Sequence, residues 1–135
     1  MQRRKKTRKA SKFTTFWSWL TRPFTKGRSG ERAAAYYLIE QGYTILERNW
    51  TCPLGEIDIV GRDGDVLCIV EVKRRLSARK GIPEEALTAR KRRKLAQLAE
   101  IYLRSRADDA PAVRLDLVAV DDTGVKREIR LYKGI

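Results

Sequence analysis

The chain has 135 residues, 42% of them hydrophobic, and carries a formal net charge of +13. This length and composition predict one domain with a single hydrophobic core and exclude a broadly disordered chain. The sequence contains no histidine, which excludes Ser-His-Asp and Cys-His catalysis and any zinc site that depends on histidine.

The same survey excludes two further classes of protein. No uninterrupted apolar run approaches the roughly 20 residues that a membrane-spanning helix needs. The two cysteines, Cys52 and Cys68, are too few for a disulfide scaffold or a four-cysteine zinc site. We expect one of them at a strand edge and the other packed inside a strand, in a protein of the reducing cytoplasm.

The positive charge is concentrated in residues 1–28, which hold ten Lys or Arg residues and no acid, whereas the other 107 residues hold 20 basic and 17 acidic side chains. We therefore predict a basic, aromatic-containing N-terminal extension over 1–28, largely flexible or forming a short amphipathic helix, and a folded domain over 29–135. The charge of the extension favours a polyanionic partner. Three interpretations of its aromatic part stay open: contact with a membrane surface, stacking on bases, or docking on its own domain.

The sequence pattern of residues 29–135 predicts helical and extended segments. In chain order these are helix 29–41, strand 43–50, two strands within 55–75, helix 83–104, and strands 113–120 and 127–133. Ser29 is a plausible N-cap, Gly42 ends the first helix, and Pro83 suits the first turn of the second. Asp63 and Gly64 predict a two-residue hairpin turn. This order predicts an α/β fold with a mixed sheet flanked by helices.

Charged side chains interrupt the apolar pattern of the two strands in the segment GEIDIVGRDGDVLCIVEVKRR, and burying a charge is costly unless it is paired or binds a metal. Glu56 and Asp58 lie on the first strand, and Glu71 and Lys73 lie on the second. With the predicted turn, Glu56 lies opposite Glu71, and all four side chains share one face of the sheet. A register slip of one residue would move Asp58 to the other face.

These residue types in this arrangement point to metal-assisted phosphodiester hydrolysis. Clustered carboxylates raise one another's pKa, and a divalent cation relieves the repulsion. Oxygen ligands at this density suit Mg²⁺ or Mn²⁺. Lys73 is then placed to orient or deprotonate a metal-bound water. The simpler alternative is an exposed strand face with a cross-strand ion pair, which is what an isolated Glu-x-Lys usually means.

The motifs resemble those of a known family. An acid in a first helix, an Asp at a strand start and Glu-x-Lys on the next strand resemble the PD-(D/E)xK nuclease superfamily. The segments GERAAAYYL, GYTILERNW, GEIDIV, VEVKRR and RLDLVAV, in this order, resemble the YraN family of small bacterial proteins, which is similar to archaeal Holliday-junction resolvases. The resemblance spans Gly30 to Val120. It implies a restriction-endonuclease-like domain over 29–135 and an endonuclease that acts on structured or branched DNA.

The resemblance also implies roles for individual residues. Asp58 and Glu71 would bind the metal with help from the Val72 carbonyl, Lys73 would be the catalytic lysine, and Glu31 would be a further catalytic acid. The superfamily's "PD" is "ID" in this chain, a common variation.

The roles of three other acids are less specific. Glu56 is a possible accessory acid of the "GEID" motif. Glu31 would also be favourable at a helix N-terminus through the helix dipole alone, and both roles can hold together. For Asp116 we predict a structural role, as the partner of Arg114 or of a helix end.

The predicted nucleic-acid contacts come from basic residues after the catalytic strand and on the second helix: Arg74, Arg75, Arg79, Lys80, Lys91 and Lys94. Such contacts confer affinity and salt dependence rather than sequence preference. The alternative is a solvated basic helix face. Trp50 would either stack on a base or pack at a strand end.

Three functions therefore compete at this point: a Mg²⁺- or Mn²⁺-dependent endonuclease, a non-catalytic nucleic-acid-binding protein with a nuclease-like fold, and an interaction protein whose acids are structural and whose basic tail docks on a membrane or a partner. The clustered acids argue against the second function, because acids repel nucleic acid. The resemblance to resolvases implies a homodimer, because a junction has two strands to cut.

Overall fold

A computed structural model of the chain describes residues 29–77, 87–106 and 112–135. The predicted N-terminal extension, Arg79, Lys80 and Pro83 lie outside the described residues. The elements are α1 (Ser29–Glu40), β1 (Thr44–Cys52), β2 (Gly55–Asp63), β3 (Val66–Arg75), α2 (Ala89–Arg106), β4 (Ala112–Asp121) and β5 (Glu128–Lys133). The predicted order of helices and strands is confirmed.

The five strands form one sheet in the order β1-β2-β3-β4-β5. Neighbouring strands in this sheet are antiparallel except β3 and β4, which are parallel and are connected through α2, as a parallel connection requires. The mixed sheet with flanking helices confirms the predicted α/β class and agrees with a restriction-endonuclease-like fold. No helix formed by the described residues is long and apolar enough to cross a membrane.

The sheet carries a hydrophobic core on each face. On one face α1 contributes Ala34, Ala35 and Leu38, which pack with Ile59, Val70, Val118 and Val120. On the other face α2 contributes Leu95, Leu98, Ala99 and Tyr102, which pack with Ile57, Val60, Leu67 and Ile69. Trp50 packs against the second core, edge-on to Tyr102 with 5.3 Å between ring centroids, in agreement with its interpretation as a packed strand-end residue.

Helix α2 begins later than predicted. Leu87 and Thr88 are not helical, so a helix that runs unbroken from Pro83 is wrong. The Thr88 hydroxyl accepts a hydrogen bond from the Lys91 amide (3.2 Å), and the Thr88 carbonyl accepts one from the Arg92 amide (3.0 Å). Thr88 is therefore the N-cap. Its hydroxyl accepts a hydrogen bond from an otherwise unpaired amide at the start of the helix, which a proline side chain cannot do.

The turn between β2 and β3 also differs from the prediction. Asp63 pairs with Val66, so the turn residues are Gly64 and Asp65 instead of Asp63 and Gly64. Gly64 has φ of +60°, and the first position of a type II′ turn is where glycine is preferred. The register therefore differs by two residues from the predicted one, a shift that retains the faces of both strands.

A buried polar network joins β4 to the rest of the α1 face. Asp116 is fully buried and accepts hydrogen bonds from Arg114 Nε (2.7 Å), Tyr43 Oη (2.9 Å) and the Gly134 amide (3.0 Å). Arg114 also contacts Asp63 at 2.8 Å. The predicted structural role of Asp116, as the partner of Arg114, is confirmed.

Both cysteines are free thiols, with Cys52 half-buried on a strand and Cys68 buried in the core, as predicted. Burial and the nearby Asp116 carboxylate raise the pKa of the Cys68 thiol to about 11. At this pKa the thiol is protonated at neutral pH, which fits a packing role.

Candidate active site

The candidate site lies where β2 leaves β3. Backbone pairing of the two strands ends at Ile59 and Val70, whereas β3 continues along β4 as far as Arg75. Just past the last pair, the Asp58 carboxylate accepts a hydrogen bond from the Val72 amide at 2.8 Å. The Asp58 side chain thus occupies the gap between the strands at the level of the sheet.

An irregularity across β1 and β2 accompanies this position. The two strands pair through Arg48–Ile59 and Trp50–Ile57 but not through the residues between. Asn49, on β1 at this point, has φ of +51°, a backbone conformation that asparagine tolerates better than most residues. As a result, Ile57 packs on the α2 side and Ile59 on the α1 side, although residues two apart on a regular strand share one face.

Three acids form a group that we call the acid cluster: Glu31, Glu56 and Asp58. One carboxylate oxygen from each lies within 4.8 Å of the others, so the three could hold a metal ion. Glu31 is in the first turn of α1, where the helix dipole also favours an acid. Both roles considered for Glu31 are thus compatible with its position, and Glu56 lies beside it.

The Asn49 side chain links two members of the acid cluster, Glu31 and Glu56. Hydrogen bonding favours the amide orientation in which the Asn49 nitrogen donates to Glu31 Oε2 at 2.7 Å and to Glu56 Oε1 at 3.0 Å. The sequence analysis missed this residue. Its signal was weak: a single polar, turn-tolerant side chain within a strand, between Arg48 and Trp50.

Glu71 lies outside the acid cluster and is held by two lysines. Its side chain is 6% exposed, and its Oε1 atom lies 3.3 Å from Lys73 Nζ and 3.2 Å from Lys91 Nζ. Lys91 belongs to α2, so Glu71 and Lys73 are on the α2 side of the sheet. The contact between Glu71 and Lys91 was not predicted, because sequence spacing does not show which helix residue meets a strand.

The predicted arrangement of four charged residues on one face is therefore wrong in detail. Glu56 lies with Glu31 toward α1, whereas Glu71 and Lys73 lie toward α2. The break in β1 and β2 causes this difference, and it leaves Asp58 between the two groups. The predicted contact of the Val72 carbonyl with a metal stays a prediction, since the Val72 contact described here is through its amide.

The electrostatics of Asp58 join the two groups. Burial, and then the negative charge of Glu71, raise the pKa of Asp58 to about 7; Glu31 and Glu56 contribute to this rise, and the Val72 hydrogen bond opposes it. A raised carboxyl pKa means that negative charge at this point is insufficiently neutralised by protein groups. The position is therefore one that a cation would stabilise.

The basic residues predicted to contact nucleic acid differ in their present partners. Arg74 pairs with Asp122 at 2.6 Å, and Arg75 pairs with Asp121 at 3.7 Å. The stem of Lys94 lies over Gly55, where an added Cβ would be 3.1 Å from Lys94 Cε. Arg74 and Arg75 would thus have to exchange an acidic partner to bind phosphate, and their role, like that of Lys94, stays a prediction.

Comparison with known proteins identifies relatives over most of the chain. The model of "Uncharacterised protein family UPF0102" matches residues 30–120. A UPF0102 protein of Lachnoclostridium phytofermentans is 47% identical over 110 residues, covering 81% of this chain and 90% of the relative. A UPF0102 protein of Paenarthrobacter aurescens is 50% identical over 99 residues, covering 73% of this chain and 82% of the relative. The matched range 30–120 spans the acid cluster, Glu71 and both lysines.

Proposed function

The chain belongs to the uncharacterised protein family UPF0102, which is the YraN family that its motifs resemble, and we propose that it is a Mg²⁺- or Mn²⁺-dependent endonuclease that hydrolyses phosphodiester bonds in structured or branched DNA. The observation that carries the proposal is the position of Asp58. Its carboxylate lies between the other two acids of the cluster, Glu31 and Glu56, and the Glu71–Lys73 pair, with a pKa raised to about 7.

The donor set fits a hard divalent cation. Carboxylate oxygens are the ligands that Mg²⁺ and Mn²⁺ prefer, and the chain has no histidine that would favour zinc. Asp58 and Glu71 would hold the cation, with the Val72 carbonyl as the third ligand implied by the family resemblance, and Glu31 and Glu56 would add negative charge beside it. When bound, the cation would supply positive charge that polarises the phosphodiester.

Three other residues of the site would have separate roles in the reaction. Lys73, whose ammonium lies 3.3 Å from Glu71, would orient the attacking water and offset the charge that grows on the phosphate. Asn49 would hold Glu31 and Glu56 so that their remaining oxygens face the same space. The Val72 amide fixes one Asp58 oxygen at 2.8 Å and leaves the other available as a ligand.

The distribution of positive charge supports nucleic acid as the substrate. The chain carries 30 Lys or Arg residues against 17 acids, and five consecutive basic residues begin α2 next to Glu71: Arg90, Lys91, Arg92, Arg93 and Lys94. Contacts of this type bind phosphate without reading base sequence. We therefore propose that the substrate is recognised by its shape. From the resemblance to resolvases we also propose that the protein acts as a homodimer, in the cytoplasm.

The test is a cleavage panel. Purified protein would be incubated with labelled four-way junctions, flaps, duplexes and single strands, in Mg²⁺, in Mn²⁺ and in chelator. Metal-dependent cleavage that is lost in Lys73→Ala, purified identically to exclude a contaminating nuclease, would support the proposal. Binding without cleavage, unchanged by Lys73→Ala, would favour the non-catalytic alternative.

A substitution at Asn49 tests how the acid cluster is held. Asn49→Gly keeps the left-handed backbone but removes both hydrogen bonds to the acids, so Mn²⁺ affinity should fall by about tenfold, the effect typical of residues that orient metal ligands. Calorimetric titration measures the affinity. Asn49→Asp also tolerates this backbone but adds a negative charge beside Glu31 and Glu56, so it should bind Mn²⁺ more tightly than Asn49→Gly does. Unchanged affinity in both variants would show that Asn49 serves only the backbone.

A further inference from the structure

Lys91 has a contact that the proposed chemistry does not use. Two ammonium groups, Lys73 at 3.3 Å and Lys91 at 3.2 Å, share the same oxygen of the buried Glu71 carboxylate. One positive charge is enough to neutralise a carboxylate, and Lys73 supplies it from the neighbouring position on β3. Lys91 is therefore a second ammonium that the Glu71 carboxylate alone does not require in the free protein.

The position of Lys91 on α2 makes this second contact unusual. Lys91 is in the first turn of the helix, where its amide donates to the Thr88 cap at 3.2 Å, and the first turn contains no acid. A cation is unfavourable near a helix N-terminus because the helix dipole places partial positive charge there. The Glu71 carboxylate compensates Lys91 for this cost, and a phosphate group would do so equally well.

The Lys91 side chain also has freedom that its backbone lacks. The N-cap fixes the backbone at the start of α2, whereas the side chain is 34% exposed and has four rotatable carbon segments. Among the described residues, no acid pairs with the neighbouring Arg90, Arg92 or Arg93, all of which are exposed. A phosphate approaching this turn would therefore meet several exposed cations.

We propose that Lys91 is an exchangeable counter-ion of Glu71. In the free protein it neutralises the buried carboxylate. When a divalent cation takes over Glu71, the Lys91 ammonium moves to a backbone phosphate of the bound nucleic acid, at the N-terminus of α2. The inference rests on the proposed function and adds to it a coupling: cation uptake releases a phosphate-binding group.

The experiment measures cation and nucleic-acid binding separately, without turnover. Mn²⁺ affinity is measured by calorimetry on the full chain, and junction DNA affinity is measured in chelator and in Ca²⁺, which commonly supports binding without cleavage. In Lys91→Met, Mn²⁺ affinity should rise by about tenfold, because a competing positive charge is gone. DNA affinity should fall several-fold in Ca²⁺, with the salt slope reduced by about one, and should change little in chelator.

The controls separate this coupling from simpler explanations. Lys91→Arg keeps the charge and should restore both properties toward those of the natural chain. Arg92→Ala removes a charge from the same turn without touching Glu71, and should leave Mn²⁺ affinity unchanged. Circular dichroism of each variant checks that α2 is retained.

Three results would overturn the proposal in distinguishable ways. If Mn²⁺ affinity is the same in Lys91→Met as in the natural chain, Lys91 does not compete for Glu71. If DNA affinity falls equally in chelator and in Ca²⁺, Lys91 is an ordinary phosphate contact. If the natural chain itself takes up no divalent cation, it is the proposed function that fails, and the coupling fails with it.

Discussion

Asp58→Asn is expected to lower metal-dependent cleavage by about a thousandfold while making the metal-free protein more stable at pH 8. The loss of activity follows because an amide is a poor ligand for a hard cation and because Asp58 joins the acid cluster to Glu71. The gain in stability follows because the substitution removes a negative charge that burial and neighbouring acids destabilise. Activity and stability should therefore change in opposite directions.

The pH dependence of this gain has a definite sign. The pKa of Asp58 rises from an ordinary value of 3.8 to about 7 in the folded protein, so the folded state binds the proton more tightly than the unfolded state does. The ionised carboxylate therefore destabilises the fold increasingly as the pH rises from about 4 to about 7. Below this window Asp58→Asn should match the natural chain, and above it the variant should be more stable by on the order of 2 kcal/mol.

Urea denaturation in chelator between pH 4 and pH 8 measures the stability, and the cleavage panel measures the activity. The Val72 amide keeps an acceptor in the variant, because the asparagine oxygen can replace the carboxylate oxygen that it contacts at 2.8 Å. Cleavage within tenfold of the natural rate, or a variant less stable than the natural chain at pH 8, would contradict the role given to Asp58.

Asp116→Ala is expected to destabilise the protein by about 3 kcal/mol, which corresponds to a melting temperature lower by roughly 10 °C. Asp116 is fully buried, and its removal leaves the Tyr43 hydroxyl without the acceptor it now has and Arg114 with Asp63 as its remaining acid partner. Leaving one partner of a buried pair uncompensated costs more than the pair contributes. Thermal unfolding followed by circular dichroism measures the change.

The matched control is Asp63→Ala, which removes another acid that contacts Arg114. Asp63 is a quarter exposed, and it pairs with Arg114 at 2.8 Å and with Lys133 at 2.9 Å. Partly solvated pairs contribute little, so this variant should lose no more than about 1 kcal/mol. Equal destabilisation by the two substitutions would show that burial of Asp116 is not what makes it important.

Much of the fold was predictable because local signals and tertiary packing agree in this chain. The Ser29–Glu40 helix has its apolar stripe and its terminating glycine in sequence, and the strands alternate or run apolar as expected for a mixed sheet; Ser29, predicted as the N-cap, is already helical. The start of α2 was not predictable in the same way. Two residues before it can mark a helix start, Pro83 and Thr88. The helix begins after Thr88 because the Thr88 hydroxyl accepts a hydrogen bond from the Lys91 amide.

The candidate site was predicted in composition but not in geometry. Strand alternation places Glu71 and Lys73 on the same side of β3, as observed. It fails for Glu56 and Asp58, because Asn49 adopts a left-handed conformation and the strands lose their regular pairing beside it. The contact of Lys91 with Glu71 depends on how α2 packs on the sheet, and no periodicity in the sequence encodes that distance.

The central claim is that Asp58 and Glu71 bind one divalent cation, and anomalous diffraction from crystals soaked in Mn²⁺ tests it most directly. We predict a manganese peak about 2.1 Å from a carboxylate oxygen of each residue, absent in crystals of Asp58→Asn. A natural protein that shows no manganese at Asp58 and Glu71, or manganese only at exposed acids such as Glu128, would contradict the claim.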